Sequence, residues 1–158
     1  GPQPIAWTWN GRQPLSGVDR AMRPVLIKKG SLGQNRPDAD LILSPHHRVL
    51  VGENKQFEDG FEMPALAAAQ SLTSARGVRA MMGRKVVHWY NFACERHEIV
   101  CANGVYTENL LLGSAVLASL DDTAWTEIRT LFQESTQLPL NGPPARTLLP
   151  VLSMQAAA

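Results

Sequence analysis

The sequence is poor in cysteine and has no long apolar run, and each shortage excludes a class of protein. Two cysteines among 158 residues are too few for the disulfide framework of a small secreted domain. No apolar run approaches the roughly 18 residues that a membrane-spanning helix needs. The opening residues 1–4 also lack the pattern of a signal peptide. We therefore expect no membrane partner.

The two cysteines leave two interpretations open. Cys94 and Cys101 are seven positions apart on neighbouring predicted strand segments, where a disulfide could form. Free cysteine behaves as a small apolar residue and is often buried, so buried free thiols are the interpretation that we favour. The cysteines leave the compartment of the protein undefined.

The chain also lacks an excess of either charge. Its 15 Lys and Arg residues are balanced by 14 Asp and Glu residues, and the adjacent basic pairs are Lys28–Lys29 and Arg84–Lys85. A nucleic-acid surface needs a clustered basic patch, so we expect no nucleic-acid partner. The histidines and cysteines show no Cys-x-x-Cys or His-x-x-x-His spacing. We therefore expect no metal site, and no cofactor is indicated.

The composition that remains is that of a globular protein. Hydrophobic residues make up 44% of the chain and charged residues 18%, which suits one domain with a real core. The chain begins with Gly1 and not with Met. We therefore expect a fragment or a processed product of a longer polypeptide.

One stretch combines strand patterns with reactive side chains. Residues 41–43 and 49–51 are apolar and rich in branched residues, and they flank the polar insert Ser44–His47. This pattern predicts two strands that meet at a sharp corner. Ser44 precedes His47 by three positions, so a hydroxyl and an imidazole would be held together between buried strands. Such a pair is able to act on a scissile carbonyl.

Further strand patterns make most of residues 1–112 β. The turn dipeptides Asn10–Gly11 and Asn103–Gly104 favour tight turns, the second of them in a hairpin. We predict further strands over residues 5–9, 24–28, 85–92, 97–101 and 105–108.

Two segments favour helices. Residues 64–72 are rich in alanine and begin with a proline, which predicts a short helix. Residues 123–133 carry Ala124, Trp125, Ile128, Leu131 and Phe132 at helical spacing, with Asp121 or Asp122 as the cap. We interpret this stripe as a packing face. A proline-rich tail follows, so we expect a β domain over residues 1–112 and an amphipathic helix with an extended arm over residues 113–158.

These motifs together resemble a known family. Ser44–His47, followed by His97–Gly104, resembles the Hint domain, the fold that hedgehog autoprocessing domains share with inteins. The segments 30–40, 95–98 and 143–146 are similar to a bacterial subfamily found in long secreted or repeat-rich proteins. The resemblance implies an all-β, horseshoe-like fold and a larger, secreted bacterial parent protein.

The resemblance also implies roles for particular residues. Ser44 and His47 match the motif whose His assists an N-to-S or N-to-O acyl shift at the upstream junction. His97 matches the first His of the later motif, and Asn109 takes the place of the terminal Asn of an intein. The family nucleophile, a Cys or Ser, lies upstream of a segment like residues 1–4. Neither Cys94 nor Cys101 matches it.

Two departures from the splicing pattern limit what the resemblance implies. Glu108 replaces the penultimate His, and Leu110 follows Asn109 where splicing needs a second nucleophile. The resemblance thus favours upstream cleavage over splicing, with the protein's own flanking polypeptide as substrate. This chain alone would then be inactive, and a complementary N-terminal Hint segment is a candidate partner. The alternative is a non-catalytic interaction module of a secreted multidomain protein.

Each candidate residue also has a structural interpretation. His47 and His97 could be hydrogen-bonded core histidines, and for Asn109 we favour an ordinary residue at a strand end. We interpret His46 as a surface neighbour and His88 as structural.

Overall fold

The computed structural model describes residues 1–151, and its regular structure is mostly β. Ten strands and two α-helices follow one another along these described residues. The strands are β1 (Ile5–Pro14), β2 (Val25–Ile27), β3 (Leu41–Leu43), β4 (Arg48–Val51), β5 (Ala65–Ala68), β6 (Val78–Ala80), β7 (Val86–Cys94), β8 (Ile99–Ala102), β9 (Val105–Glu108) and β10 (Thr147–Leu148). The helices are α1 (Ser114–Ser119) and α2 (Asp122–Leu131), and short 3₁₀ helices span Arg20–Met22 and Ala69–Leu72.

The chain divides into two compact units. Unit 1 consists of Gly1–Gly11, His88–Glu98 and Asn109–Ala145. Unit 2 consists of Arg12–Val87, Ile99–Glu108 and the residues from Arg146 onwards. The expected boundary between residues 112 and 113 stays a prediction.

Unit 2 contains two sheets. A five-stranded sheet has the order β10-β5-β4-β9-β8, and a three-stranded sheet has the order β3-β2-β6. The pairs are antiparallel except β10 on β5, which is parallel. The strands on either side of the polar insert, β3 and β4, thus belong to different sheets.

The two strands beside the insert share one core. Leu41 and Leu43 of β3 lie in the same buried cluster as Val49 and Val51 of β4. Leu50, on the opposite face of β4, is also buried. A strand that is buried on both faces has an uninterrupted apolar sequence, and this explains why the strand pattern of β4 is easy to recognise. The predicted strands with a polar corner between them are confirmed.

The hairpin of β8 and β9 also forms as predicted. Its turn residues Asn103 and Gly104 have φ angles of 51° and 80°, the positive values that a two-residue type I′ turn requires. The first strand begins at Ile99, two residues later than predicted. His97 therefore precedes the sheet and is not part of it.

The predicted turn at Asn10–Gly11 is wrong, because β1 continues through it to Pro14. A Cβ atom on Gly11 would lie 2.4 Å from the Trp9 ring, so the glycine makes room for an indole. The strand pairs with β7 in a two-stranded sheet, and β7 confirms the strand predicted over 85–92. Gly11 is therefore needed for packing against Trp9, although the dipeptide Asn–Gly commonly marks a turn.

The helix predicted over residues 64–72 is also wrong. Ala65–Ala68 form β5, which pairs with β4 along its whole length, from Arg48 opposite Ala68 to Val51 opposite Ala65. All four residues of β5 are buried, and only Ala69–Leu72 turn as a 3₁₀ helix. Tertiary pairing has overridden the helix propensity of alanine.

Unit 1 has its own core around α2. The helix confirms the prediction over 123–133, and Asp121 caps it by accepting a hydrogen bond from the Ala124 N–H at 2.8 Å. Ile128 and Phe132 are buried. The packing stripe was wrong in part, because Trp125 and Leu131 are 41% and 52% exposed. The Arg129 guanidinium stacks on the Trp125 ring.

The predicted arm follows α2. Leu140 is buried in the core of unit 1, and β10 then adds to the edge of β5 in unit 2, with Thr147 opposite Ala65. The last part of the predicted arm, residues 152–158, lies outside the described residues. Within residues 1–151 neither α-helix is long and apolar enough to cross a membrane.

Candidate functional site

The insert between β3 and β4 is a closed turn. The His47 N–H donates to the Ser44 carbonyl at 3.1 Å. Ser44 and His47 are half-buried, whereas His46 is exposed. A backbone hydrogen bond therefore joins the two residues, and the expected pairing of the hydroxyl with the imidazole stays a prediction.

The first residues of the 3₁₀ helix Ala69–Leu72 form hydrogen bonds with this turn. Ala69 donates its N–H to the His47 carbonyl at 2.8 Å, and Gln70 donates its N–H to the Pro45 carbonyl at 3.0 Å. The Gln70 side-chain amide also lies 3.1 Å from Nδ1 of His46. The two backbone hydrogen bonds fix the backbone of the turn, and the third contact holds the His46 side chain.

The residue after His47 is anchored by a buried carboxylate. The Arg48 N–H donates to Oε1 of Glu108 at 2.9 Å, and Glu108 is 8% exposed. The Arg48 guanidinium donates to the carbonyls of Leu66 at 3.2 Å and Leu149 at 2.9 Å. The segment that carries His47 is thus tied to β9, β5 and the arm.

His97 lies in unit 1 and is buried, with 4% of its surface exposed. Its N–H donates to the Asn141 carbonyl at 2.8 Å. The Ala145 N–H donates to its Nδ1 at 2.9 Å. Because a backbone N–H can only donate, Nδ1 must be the acceptor, and the ring proton of the neutral imidazole lies on Nε2.

The Asn109 side chain brackets His97. Its Oδ1 accepts from the Glu98 N–H, and its Nδ2 donates to the Arg96 carbonyl, both at 3.0 Å. Asn109 is 1% exposed, and its N–H donates to the Glu98 carbonyl at 3.1 Å. Asn109 therefore fixes the backbone on both sides of His97.

The four predicted site residues fall into two pairs. Ser44 and His47 share the turn in unit 2, and His97 and Asn109 share a hydrogen-bonded segment in unit 1. The catalytic roles implied for them stay predictions.

Sequence reasoning missed several residues of these two segments. Gln70 and Asn141 carried no motif, Ala145 was noticed only as part of the segment 143–146, and Glu108 was noticed only as a departure from the splicing pattern. Asn141 is 1% exposed. A polar residue next to the turn former Gly142 is usually taken for part of a loop, so no local pattern indicates that Asn141 is buried.

The structure shows the state of both cysteines. Cys94 is a buried free thiol, and Cys101 is a free thiol that is exposed. The expectation that both are buried is therefore wrong for Cys101, which lies on β8. Among residues 1–151 no three His, Cys, Asp or Glu side chains are grouped so that they could hold a metal ion.

The comparisons with known proteins agree with the resemblance seen in the motifs. A family model described as the Hint domain matches residues 1–114. No curated protein and no solved structure matches the chain.

Proposed function

The chain belongs to the Hint domain family, and from that premise we propose that it is the main part of a self-processing domain. The domain cleaves the peptide bond at an upstream junction by an N-to-S or N-to-O acyl shift. The observation that carries this proposal is the turn Ser44–His47, whose backbone is fixed by Ala69 and Gln70. A fixed turn fixes the backbone that carries the His47 imidazole, and general acid–base catalysis requires a positioned side chain.

The proposed reaction begins with a Cys or Ser that precedes Gly1 in the parent polypeptide. Its sulfur or oxygen attacks the carbonyl carbon of the preceding peptide bond and loses its proton. The C–N bond breaks, the amide nitrogen leaves as a protonated amine, and a thioester or ester forms. Water then hydrolyses this ester and releases the upstream fragment. Because the substrate is the protein's own backbone, proximity supplies much of the acceleration without a cofactor.

We assign His47 the proton transfer to the leaving nitrogen. Such a transfer by a positioned side chain contributes about 10²- to 10⁴-fold to a rate. Ser44, which closes the turn with His47, positions that imidazole or the reacting carbonyl. We assign His97 the role that the first His of the later motif has in the family. Asn109 acts through His97, because both ends of its side-chain amide are bonded to the flanking backbone.

Other features of the proposal follow from the family. The sheets are proposed to take the horseshoe-like arrangement of Hint domains, in a larger secreted bacterial protein. The substrate is the protein's own flanking polypeptide. A complementary N-terminal segment that carries the nucleophile is the proposed partner, and it would join by strand addition at a sheet edge.

A second candidate function is a non-catalytic interaction module. One observation favours it: unit 2 has an open cavity of about 680 Å³, which is within the usual size range of ligand sites. Its wall includes Phe57, Phe61 and Leu72. A binding module would use such a cavity and would need no upstream nucleophile.

The test is intact-mass measurement over time on the parent polypeptide, expressed from the upstream gene segment through Ala158. We expect cleavage at an upstream Cys or Ser, slowed about 10²- to 10⁴-fold in His47→Ala. His46→Ala is the matched control, because His46 is the exposed neighbour in the same turn. A parent that stays intact even with added thiol, or His47→Ala cleaving as fast as the control, would refute the proposal.

A further inference from the structure

We propose that the segment of the arm from Leu140 to Ala145, which we name the arm clamp, sets the orientation and the tautomer of His97. The consequence for the reaction rate rests on the proposed self-processing function, but the consequence for the tautomer does not. The arm clamp lies beyond the matched residues 1–114. The inference therefore gives a role in the site to a part of the chain that the family assignment leaves without one.

The first half of the arm clamp is Asn141. Its carbonyl accepts the His97 N–H at 2.8 Å. Its Oδ1 accepts from the Leu112 N–H at 2.9 Å, and its Nδ2 donates to the Leu110 carbonyl at 2.8 Å. One buried side chain thus ties the arm to the segment after Asn109 while its backbone holds His97.

The second half is the N–H of Ala145, which donates to Nδ1 of His97 at 2.9 Å. Pro143 and Pro144 directly precede it. Proline fixes its own φ angle, so the N–H is delivered by a stiff segment and loses little freedom when it binds. A stiff donor can hold an imidazole in one orientation.

The chemical consequence concerns which nitrogen carries the proton. The lone pair of Nδ1 is engaged by Ala145, and protonating that nitrogen would break this bond. Nδ1 of His97 is therefore held as an acceptor, and the ring proton lies on Nε2. In this state Nε2 can donate a hydrogen bond but cannot accept a proton, so we assign His97 the role of a donor. Proton transfer then falls to His47.

The first residue of the clamp, Leu140, is also held in place. Leu140 donates its N–H to the Leu112 carbonyl at 3.0 Å, and its own carbonyl accepts from Ser135 Oγ at 2.6 Å. Leu140 is 4% exposed. The clamp is therefore part of the packed interior of unit 1, which is what a positioning element needs.

The test is ¹⁵N NMR of the imidazole nitrogens in the full chain. The Nδ1 resonance of His97 should be that of an unprotonated acceptor and the Nε2 resonance that of a protonated nitrogen. The variant Ala145→Pro removes the backbone N–H that donates to Nδ1 of His97. The variant Ala145→Ser keeps this N–H and is the control. We expect the proline variant to show a mixture of tautomers, and the serine variant to match the wild type.

A proline could disturb the arm for other reasons, so a second variant keeps the test decisive. Replacing the amide before Ala145 with an ester, by joining synthetic and expressed segments, removes the hydrogen and leaves the chain geometry nearly unchanged. If the tautomer of His97 is unchanged in the folded ester variant, or if Nδ1 carries the proton in the wild type, the inference is wrong.

The same variants in the parent polypeptide test the effect on the reaction. We expect Ala145→Pro and the ester to slow cleavage by at least about tenfold, and Gln133→Ala, at an exposed residue outside the clamp, to leave the rate unchanged. A parent that does not cleave at all would refute the proposed function and leave the tautomer result standing. Cleavage at the wild-type rate in variants with a mixed tautomer would overturn the role of the clamp in the reaction.

Discussion

The side chain of Gln56 provides the sharpest stability prediction, because it replaces a missing part of a sheet. Between β4 and β9 the strands pair at Val49 opposite Thr107. Beyond that point Gln56 lies between the strands, with Nε2 donating to the carbonyls of Leu50 at 2.7 Å and Tyr106 at 2.8 Å. Its Oε1 accepts from the Tyr106 N–H at 3.0 Å. One amide thus makes three bonds of the kind that a strand would make.

The magnitude follows from these bonds. Gln56 is 0% exposed, so removing its amide leaves two carbonyls and one N–H without partners. A hydrogen bond contributes a net stability of about 0.5 to 1.5 kcal/mol, and a buried group left unpaired costs about 1 to 3 kcal/mol. The Tyr106 groups are partly buried, so water can replace some of the loss. We expect Gln56→Met, which keeps the shape, to lower the free energy of unfolding by about 3 to 5 kcal/mol.

The assay is equilibrium unfolding in urea, monitored by fluorescence. The midpoint should fall without a change in the slope, which would indicate lost stability and not a changed unfolded state. Gln133→Ala is the control, because this glutamine is exposed and such a change usually costs less than about 0.5 kcal/mol. If Gln56→Met is as stable as the control, the amide does not serve as part of the sheet and the reasoning is refuted.

Two smaller predictions concern other parts of the chain. Asp121→Ala should lower the free energy of unfolding by about 1 kcal/mol, because it removes the bond to the Ala124 N–H that caps α2; Asp122→Ala in the same urea assay is the control, and an equal effect of both would contradict the cap. A thiol reagent should modify the exposed Cys101 rapidly in the folded protein and the buried Cys94 only on unfolding. Mass spectrometry of the labelled peptides checks this, and equal labelling of both thiols would contradict the burial.

The parts of the fold that the sequence predicted well are those decided within a few residues. The uninterrupted apolar run of β4 by itself indicates a strand that is buried on both faces. The dipeptide Asn103–Gly104 adopts positive φ angles at little cost in free energy. Both predictions were therefore correct. The same dipeptide at Asn10–Gly11 misled, because the reason for Gly11 is contact with the Trp9 ring, which composition does not reveal.

The parts that could not be predicted depend on distant partners. In isolation, the residues Ala65–Ala68 would favour a helix. They form a strand because β4 pairs with one edge of this segment and β10 with the other. In the site, the motif identified Ser44, His47, His97 and Asn109 as candidates. It could not identify Ala145, which contacts His97 from 48 positions along the chain. A backbone donor leaves no mark in a sequence, because any residue except proline supplies it.

The segment Glu108–Leu110 is held by hydrogen bonds that bear on whether the chain can break after Asn109. Glu108 accepts the N–H of Arg48, next to His47, at 2.9 Å. For succinimide formation the Nδ2 of Asn109 would have to attack its own carbonyl carbon, but this nitrogen donates to the Arg96 carbonyl at 3.0 Å. The Leu110 N–H donates to the Phe92 carbonyl at 2.8 Å. Chain cleavage after Asn109 would first require these bonds to break. The geometry therefore opposes cleavage at Asn109, and the same bonds let Asn109 hold the backbone on both sides of His97.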